Sequence, residues 1–375
     1  MKSRVCHISV AHGRHDNRIY YKECTTLARH GYDTWLLIRA EEKEKEEGPV
    51  KISPLPQFPS RKQRFLSAPG IVFHKVMDLN PDLIHFHDPE LIPVALRLKK
   101  RGIKVIYDVH ELVNSQIMDK SWIGNPALRE IVRRIYSRYE RKAVLHFDGI
   151  VLAEDGYLDY FRERYPQHAE KTAVVRNYPV LSVIDSVPPA ESSESRKILF
   201  YSGGLTRIRG IREVIRALGI MKDPPVLMIF GHWDEQEYKR QCMEEKGWQH
   251  TRDMGFVPPE SVYARMKNAG AGIAMLYPLP NYLSSLPVKA FEYMAMGKPI
   301  IMSDFPFWKE KFEGCALFAD PKDPEAIAAS IGRLLDDSQL MKELGQTGRK
   351  RIEESYSWER EEKKLLDLYK RILEK

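Results

Sequence analysis

The sequence predicts an α/β protein of two similar domains, each a parallel sheet with crossover helices. Three observations carry this reading. Short β-branched runs alternate with amphipathic helical stretches along the whole chain. One polar stretch, Ser182–Ser195, holds two prolines and no apolar period, and divides the chain near its middle. The length, 375 residues, is enough to bury two cores.

In chain order, the strands expected before the divide are Val5–Val10, Thr34–Ile38, Leu83–Phe86, Lys104–Tyr107, Gly149–Ala153 and Ala173–Arg176. After it come Lys197–Tyr201, Val226–Phe230, Gly255–Val257, Ala271–Leu276, Pro299–Met302 and Ala316–Ala319. The domains are then residues 1–186 and 197–357. The closing segment 358–375 places Leu365, Leu368, Tyr369, Ile372 and Leu373 on one helical face, so it reads as a docked helix. The acidic run Glu41–Glu47 reads as a solvated loop or frayed helix, and no repeat of 20–50 residues is present.

Composition removes several classes. No apolar run reaches the ~18–20 residues that span a bilayer, and Val5–Val10 is too short and polar for a signal-peptide core. Cys6, Cys24, Cys242 and Cys315 are scattered without metal-ligand spacing and read as reduced thiols of a cytoplasmic protein. The chain carries 59 basic and 52 acidic residues, a net charge of +7. Residues 1–190 hold 30 and 24 of these, the remainder 29 and 28. An anionic surface is therefore expected to meet the first half.

Ligands of open parallel sheets bind beyond the carboxyl ends of the strands, so the polar residues that follow each strand are the candidates. In the first domain these include Gly13, Arg14, Asp16, His87, Asp88, His110 and Glu154. In the second, Gly203, Gly204, Arg207, Arg209 and Gly210 follow a strand and lead into a helix with an apolar stripe. Glycines let a backbone approach a phosphate, the helix start offers free N–H groups, and the arginines supply charge. A Gly-rich turn with surface arginines explains the same pattern equally well.

A further helix start follows Ser284-Ser285-Leu286, with Ser285 as a cap and Pro287 in the first turn. Lys289 and Glu292 share a face three residues apart. They suit either a plain ion pair or a site with the cation on a phosphate and the carboxylate on a sugar diol.

At this point the chain resembles the retaining nucleotide-sugar glycosyltransferases of family 4. Three pieces carry the resemblance: Asp82-Leu83-Ile84-His85-Phe86-His87-Asp88-Pro89-Glu90, the loop Gly203–Gly210, and Phe291-Glu292-Tyr293-Met294-Ala295-Met296-Gly297-Lys298-Pro299. With the closing helix, the likeness covers nearly the whole chain. It implies the GT-B fold: two Rossmann-like domains facing a central cleft, the C-terminal helix returning to the N-terminal domain. His87 matches the family's active-site histidine beside the donor sugar. Arg209 matches the basic residue on the donor diphosphate, Glu292 the ribose-binding second glutamate of E-x7-E, and Phe256 and Val257 the segment lining the base.

Two positions depart from the pattern. Ser284 stands where the first glutamate of E-x7-E is expected, and Gly204 where an arginine usually follows the loop glycine. Lys289 and Arg207 are expected to share the missing cation's role. Ser284, Ser285 and Leu286 then lie at the donor-sugar end of the site.

The resemblance implies sugar transfer from a nucleoside diphosphate sugar, UDP ahead of GDP, to an acceptor hydroxyl with retention. Cations and helix N–H groups stabilise the leaving diphosphate. No cofactor or metal is expected, and the sequence has no Asp-x-Asp. The acceptor is a glycan, a lipid-linked glycan or a small molecule, with envelope polysaccharide or glycolipid synthesis the commonest setting. Arg61–Leu66 and the helix Arg129–Lys142 are candidates for an anionic membrane surface on the cytoplasmic side, and an ordinary solvated basic face fits them equally. Two other readings remain: a UDP-sugar epimerase of the same fold, and a nucleic-acid-binding protein. The last is weak because +7 over 375 residues comes without interleaved aromatics.

Overall fold

The computed structural model describes residues 2–41, 48–119, 123–190, 197–283 and 285–374. It forms two compact units, Met1–Asn177 with Arg360–Lys375, and Tyr178–Glu359.

Unit 1 is built on seven parallel strands: β1 (Arg4–Gly13), β2 (Asp33–Arg39), β3 (Lys51–Leu55), β4 (Leu83–Phe86), β5 (Lys104–Val109), β6 (Gly149–Leu152) and β7 (Thr172–Val174), in the order β3-β2-β1-β4-β5-β6-β7. Near-continuous burial along β1, β4 and β6 fits strands covered on both faces. Lys51–Leu55 is a strand that the pattern did not announce. It is a short edge strand holding Pro54, the position in a sheet where proline is tolerated.

The last helix, Trp358–Leu373, buries Leu365, Leu368, Tyr369 and Ile372. Gly149 on β6 is what admits it: a Cβ there would lie 2.7 Å from Ile372 Cδ1 and 3.1 Å from Ile106 Cγ1. Burying each such aliphatic side chain stabilises the fold by about 1.5–3 kcal/mol.

Unit 2 has six parallel strands: β8 (Ile198–Ser202), β9 (Val226–Phe230), β10 (Thr251–Asp253), β11 (Ala271–Ala274), β12 (Ile300–Ser303) and β13 (Ala316–Ala319), in the order β10-β9-β8-β11-β12-β13. Gly255–Val257 is not a strand, because Gly255 takes φ +65° and turns the chain just after β10. The stretch after residue 181 is not a free connector either. It forms the helix Leu181–Ser186, which buries Ile184, and Ala190 N–H donates to the Ala264 carbonyl at 2.9 Å. The division between units therefore falls earlier, after Asn177. Residues 191–196 and most of the acidic run, 42–47, lie outside the described residues.

Candidate functional site

In each sheet the chain reverses its direction of strand addition once. That switch point lies between β1 and β4 in unit 1 and between β8 and β11 in unit 2. Loops diverge there, leaving a crevice at the carboxyl edge.

In unit 1 the crevice loop after β1 is held by one carboxylate. Asp88 Oδ2 accepts from the Val10 N–H (2.6 Å), the Ala11 N–H (3.2 Å) and the Ser9 hydroxyl (2.9 Å), and Asp88 pairs with His12 at 3.5 Å. Burial alone would raise this carboxyl. The His12 contact and these donors outweigh it and hold the group down at about 2. Asp16 closes the other end of the loop: its Oδ1 accepts from the N–H groups of Arg18 and Ile19, both at 2.9 Å.

Behind the loop lies a buried polar network. His7 on β1 sits opposite His85 on β4, and His87 follows β4 directly. Tyr369 of the last helix places its hydroxyl 2.9 Å from His7 Nε2 and 2.8 Å from His85 Nδ1. His7 Nδ1 is 3.0 Å from His87 Nε2, and His87 Nδ1 is 3.1 Å from His110 Nε2. Asp108 on β5 receives His87 Nδ1 at 3.2 Å and His110 Nε2 at 3.1 Å.

Arg18 ties the charges together. Its Nε lies 3.0 Å from Glu23 and 3.2 Å from Asp108, and its Nη1 donates to the Val175 carbonyl at 2.7 Å. Burial would raise Asp108, but Arg18 and the imidazoles outweigh it, so Asp108 stays ionised. Burial dominates at Glu23 and pushes it well up in spite of Arg18. Burial likewise lowers His7 and His85, and brings His87 down to about 4 although Asp108 opposes it.

These states give the hydrogen bonds one direction. An ionised carboxylate only accepts, so His87 presents Nδ1–H to Asp108 and its Nε2 must accept from His7 Nδ1–H. His7 Nε2 then accepts from the Tyr369 hydroxyl, whose oxygen accepts from His85 Nδ1–H. Glu23, His85, His87 and Asp108 bring ligand-type atoms within 4.8 Å of one another, a grouping that could hold a cation. The Arg18 guanidinium already lies against both carboxylates and supplies that positive charge.

In unit 2 the loops after β8, β9 and β10 are joined by backbone. Gly203 N–H donates to the Phe230 carbonyl and Gly231 N–H to the Gly255 carbonyl, both at 2.9 Å. Gly231 (φ +146°) approaches so closely that a Cβ would lie 1.9 Å from the Gly203 oxygen. Gly203 and Gly204 open the loop that carries Arg207 and Arg209, and Gly210 (φ +61°) turns it into the helix Ile211–Ile220.

The two arginines differ. Arg207 lies against Glu235 (3.2 Å) and Gln241 (2.7 Å) and over the Tyr238 ring (5.0 Å). Arg209 has no hydrogen-bond or ion-pair partner for its guanidinium among the described residues. Across the switch point, the helix Val288–Ala295 carries Lys289 and the buried Glu292, paired at 2.8 Å. Tyr263 lies 3.5 Å from the other carboxylate oxygen.

The structure thus gathers Gly203, Gly204, Arg207, Arg209, Lys289 and Glu292 on loops and a helix start beside the unit 2 switch point. It also forms the plain Lys289–Glu292 ion pair. Phe256 is 69% exposed and stacks on His232 with ring centroids 4.7 Å apart, while Val257 packs against the core. In unit 1, Gly13 ends β1, Arg14 is buried, and Asp16 and His110 lie where described above.

Several expectations change. The His87 side chain is wholly buried with both ring nitrogens engaged, so it offers a donor sugar no open edge; the His110 side chain, 20% exposed, is the outer member of the series. Arg207 is engaged by Glu235, Gln241 and Tyr238 in this structure, whereas Arg209 is not engaged by any of them. Ser285 is not a cap: Pro287 is the N-cap, and the Ser285 carbonyl accepts from the Trp308 indole at 2.7 Å. Leu286 packs against the core, and Ser284 lies outside the described residues.

Sequence reasoning missed the roles of His7, Glu23, Tyr369 and His232. Glu23 did carry a signal. Ile19, Tyr20, Glu23, Cys24 and Leu27 recur at helical spacing, which puts a carboxylate on an inward face.

Comparison with known proteins covers both units. A model of Glycosyltransferase Family 4 matches residues 17–178, and one of glycosyl transferases group 1 matches residues 185–351. An uncharacterised glycosyltransferase of Methanocaldococcus jannaschii is 26% identical over 186 residues, 48% of this chain and 46% of that protein. The D-inositol 3-phosphate glycosyltransferase of Corynebacterium urealyticum is 24% identical over 329 residues, 80% of this chain and 74% of that protein. The chain thus spans less than half the length of the first relative and about three quarters of the second.

Among solved structures, sucrose-phosphate synthase from Thermosynechococcus elongatus superposes with a TM-score of 0.75 at 20% identity, covering 99% of each chain. Anabaena HepE in complex with UDP-glucose gives 0.71 at 12% identity, covering 97% of this chain and 98% of that one.

Proposed function

The chain is a GT-B glycosyltransferase of family 4, and from that premise we propose that it moves a sugar from a UDP-sugar to an acceptor hydroxyl with retention at the anomeric carbon. The acceptor on this reading is an envelope glycan or a lipid-linked glycan, and the work is done in the cytoplasm, where nucleotide sugars are supplied.

One observation carries the donor assignment. At the unit 2 switch point, Arg209 is a cation without a partner among the described residues, at the start of a ten-residue helix, with Glu292 on the facing loop-and-helix segment. The diphosphate gains negative charge as the glycosidic bond breaks, and an arginine with free backbone N–H groups stabilises that change. Glu292 accepts from the ribose hydroxyls once Lys289 turns toward phosphate. The exposed Phe256–His232 stack offers an aromatic face to a base. A solved neighbour holding UDP-glucose supports this donor class.

On the unit 1 side, His110 is the imidazole that reaches the substrate, and His87 positions it through Asp108. Neutral His87 keeps a fixed tautomer against Asp108, which also receives His110 Nε2.

Incubation with UDP-, GDP- and ADP-sugars tests the reading. Slow release of sugar from a UDP-sugar is expected, with the product anomer, read by NMR, matching the donor. Epimerisation without hydrolysis would establish the epimerase alternative. No binding or turnover of any sugar nucleotide would end the transferase reading.

A further inference from the structure

The helix Pro126–Val144 of unit 1 does not bury its apolar residues in the usual way. Leu128, Ile131, Ile135 and Tyr139 are 46%, 55%, 61% and 37% exposed. Their spacing of three or four residues makes one outward stripe. Inward, Ala143 and Val144 join the core at the helix's last turn, and the turn before is anchored by Glu140, which receives the hydroxyls of Tyr136, Tyr160 and Tyr165 and the Asn114 amide at 3.1–3.3 Å.

Beside the stripe are Arg134, Arg138, Arg141 and Lys142, all exposed. Arg134 pairs with Glu130, whereas Arg138, Arg141 and Lys142 have no ion-pair partner among the described residues.

A second patch repeats this composition. The helix Arg61–Leu79 begins with exposed Arg61 and Lys62, followed by Phe65 and Leu66 at 57% and 74% exposure. Both helices touch the helix Ile92–Lys99, which lies between them in one layer on the sheet. All three follow parallel strands, so their N-termini share the carboxyl edge that carries His110.

We propose that this helical layer seats unit 1 on an anionic bilayer surface, with Phe65, Leu66, Leu128, Ile131 and Ile135 entering the acyl boundary and the free cations on lipid headgroups. Charge decides the occupant. A second copy would set Arg138, Arg141 and Lys142 against like charges, whereas anionic headgroups answer each of them, at about 1 kcal/mol per cation near the surface. Apolar side chains among basic ones at one interface describe a helix lying in the membrane plane. The docking rests on the proposed function only for its purpose, which is to bring a lipid-linked acceptor to the edge that carries His110.

Sedimentation of the full chain with vesicles tests this. Vesicles of phosphatidylcholine with about 30 mol% phosphatidylglycerol should carry the protein down, and pure phosphatidylcholine should not. The exposed-site variants Ile131→Ser/Ile135→Ser and Arg138→Glu/Lys142→Glu should each lower partitioning about tenfold or more. Their circular dichroism melts and UDP binding should be unchanged, which separates lost docking from lost folding or lost donor site. No binding to anionic vesicles, or binding that neither variant weakens, would overturn the proposal. So would a concentration-dependent dimer in light scattering that Ile131→Ser/Ile135→Ser dissolves, since the occupant would then be a second copy. UDP-sugar turnover persisting alongside a failed sedimentation would sink the docking and leave the transferase reading standing.

Discussion

Arg207 and Arg209 stand two residues apart in one loop, yet they call for opposite outcomes. Removing the unpartnered Arg209 guanidinium (Arg209→Ala) should weaken UDP-sugar binding at least tenfold, the scale of about 1.5–3 kcal/mol expected for a hydrogen bond to a charged group. Arg207→Ala should change it less than twofold, because Glu235, Gln241 and Tyr238 already engage that side chain. Titration calorimetry with UDP reads both, and the reverse ranking would move the diphosphate to the other arginine. In unit 1, Tyr369→Phe removes the hydroxyl that His7 Nε2 accepts from. His7 and His85 then lose their shared partner, so their ring-nitrogen shifts should change in NMR, while His87, held in its Nδ1–H form by Asp108, should keep its own. A changed His87 shift would show that Asp108 does not set its tautomer alone. Arg209 and His110 were legible as polar residues after strands, and Glu292 as sharing a helix face with Lys289. The Tyr369 contact was not, because 284 residues separate it from His85 and periodicity marks only an apolar helix face.

At the scale of elements, the docking of the last helix depends on a missing side chain. Gly149→Val should force Ile372 and Ile106 apart and cost about 1–3 kcal/mol, as overpacking does. Thermal melts should show the loss, and Ile372→Ala in the same chain should recover part of it. If the double variant is as unstable as the two losses added, the two side chains do not share the contact. Gly231 makes a comparable demand on the joined loops of unit 2, where any side chain would strike the Gly203 carbonyl. The strands themselves were largely legible, since buried parallel strands read as apolar runs. What escaped was the edge strand Lys51–Leu55, whose charge and proline resemble loop, and the turn at Gly255, whose positive φ no pattern reveals.

At the scale of the molecule, the two units should respond differently to acid. His87 titrates at about 4 when folded and near ~6.5 when unfolded. The unfolded chain therefore binds more protons between those values, and stability falls as pH drops from ~6.5 to ~4, by about 3 kcal/mol for this ring. Asp88, held at about 2 against ~3.9 when unfolded, adds a second loss as pH falls below ~4. His7 and His85 are lowered as well, whereas unit 2 buries no histidine among its described residues. Glu154, pushed up to about 7 by burial and its acidic neighbours, and the raised Glu23 bind more protons folded than unfolded, so they oppose this loss over the same window. The ring's share is therefore read as a difference: between pH ~6.5 and ~4 the unit 1 transition of His87→Gln should fall less in scanning calorimetry than that of the parent chain, with unit 2 alike in both. An identical acid response in the two chains would assign it elsewhere. The division into two domains was visible in the polar stretch near the middle, but its place was not. A short helix with one buried isoleucine looks polar in sequence and still belongs to the fold.

The Tyr369 hydroxyl also orders events in time. A ribosome emits the N-terminal residues of unit 1 first, yet that unit lacks its closing helix and the partner of His7 and His85 until the final turns emerge. Unit 2 is one continuous segment, Tyr178–Glu359, and can close while unit 1 is still waiting. Nascent chains arrested before residue 360 should therefore yield a protease-resistant fragment from the second unit and none from the first. The half that is synthesised first becomes competent last.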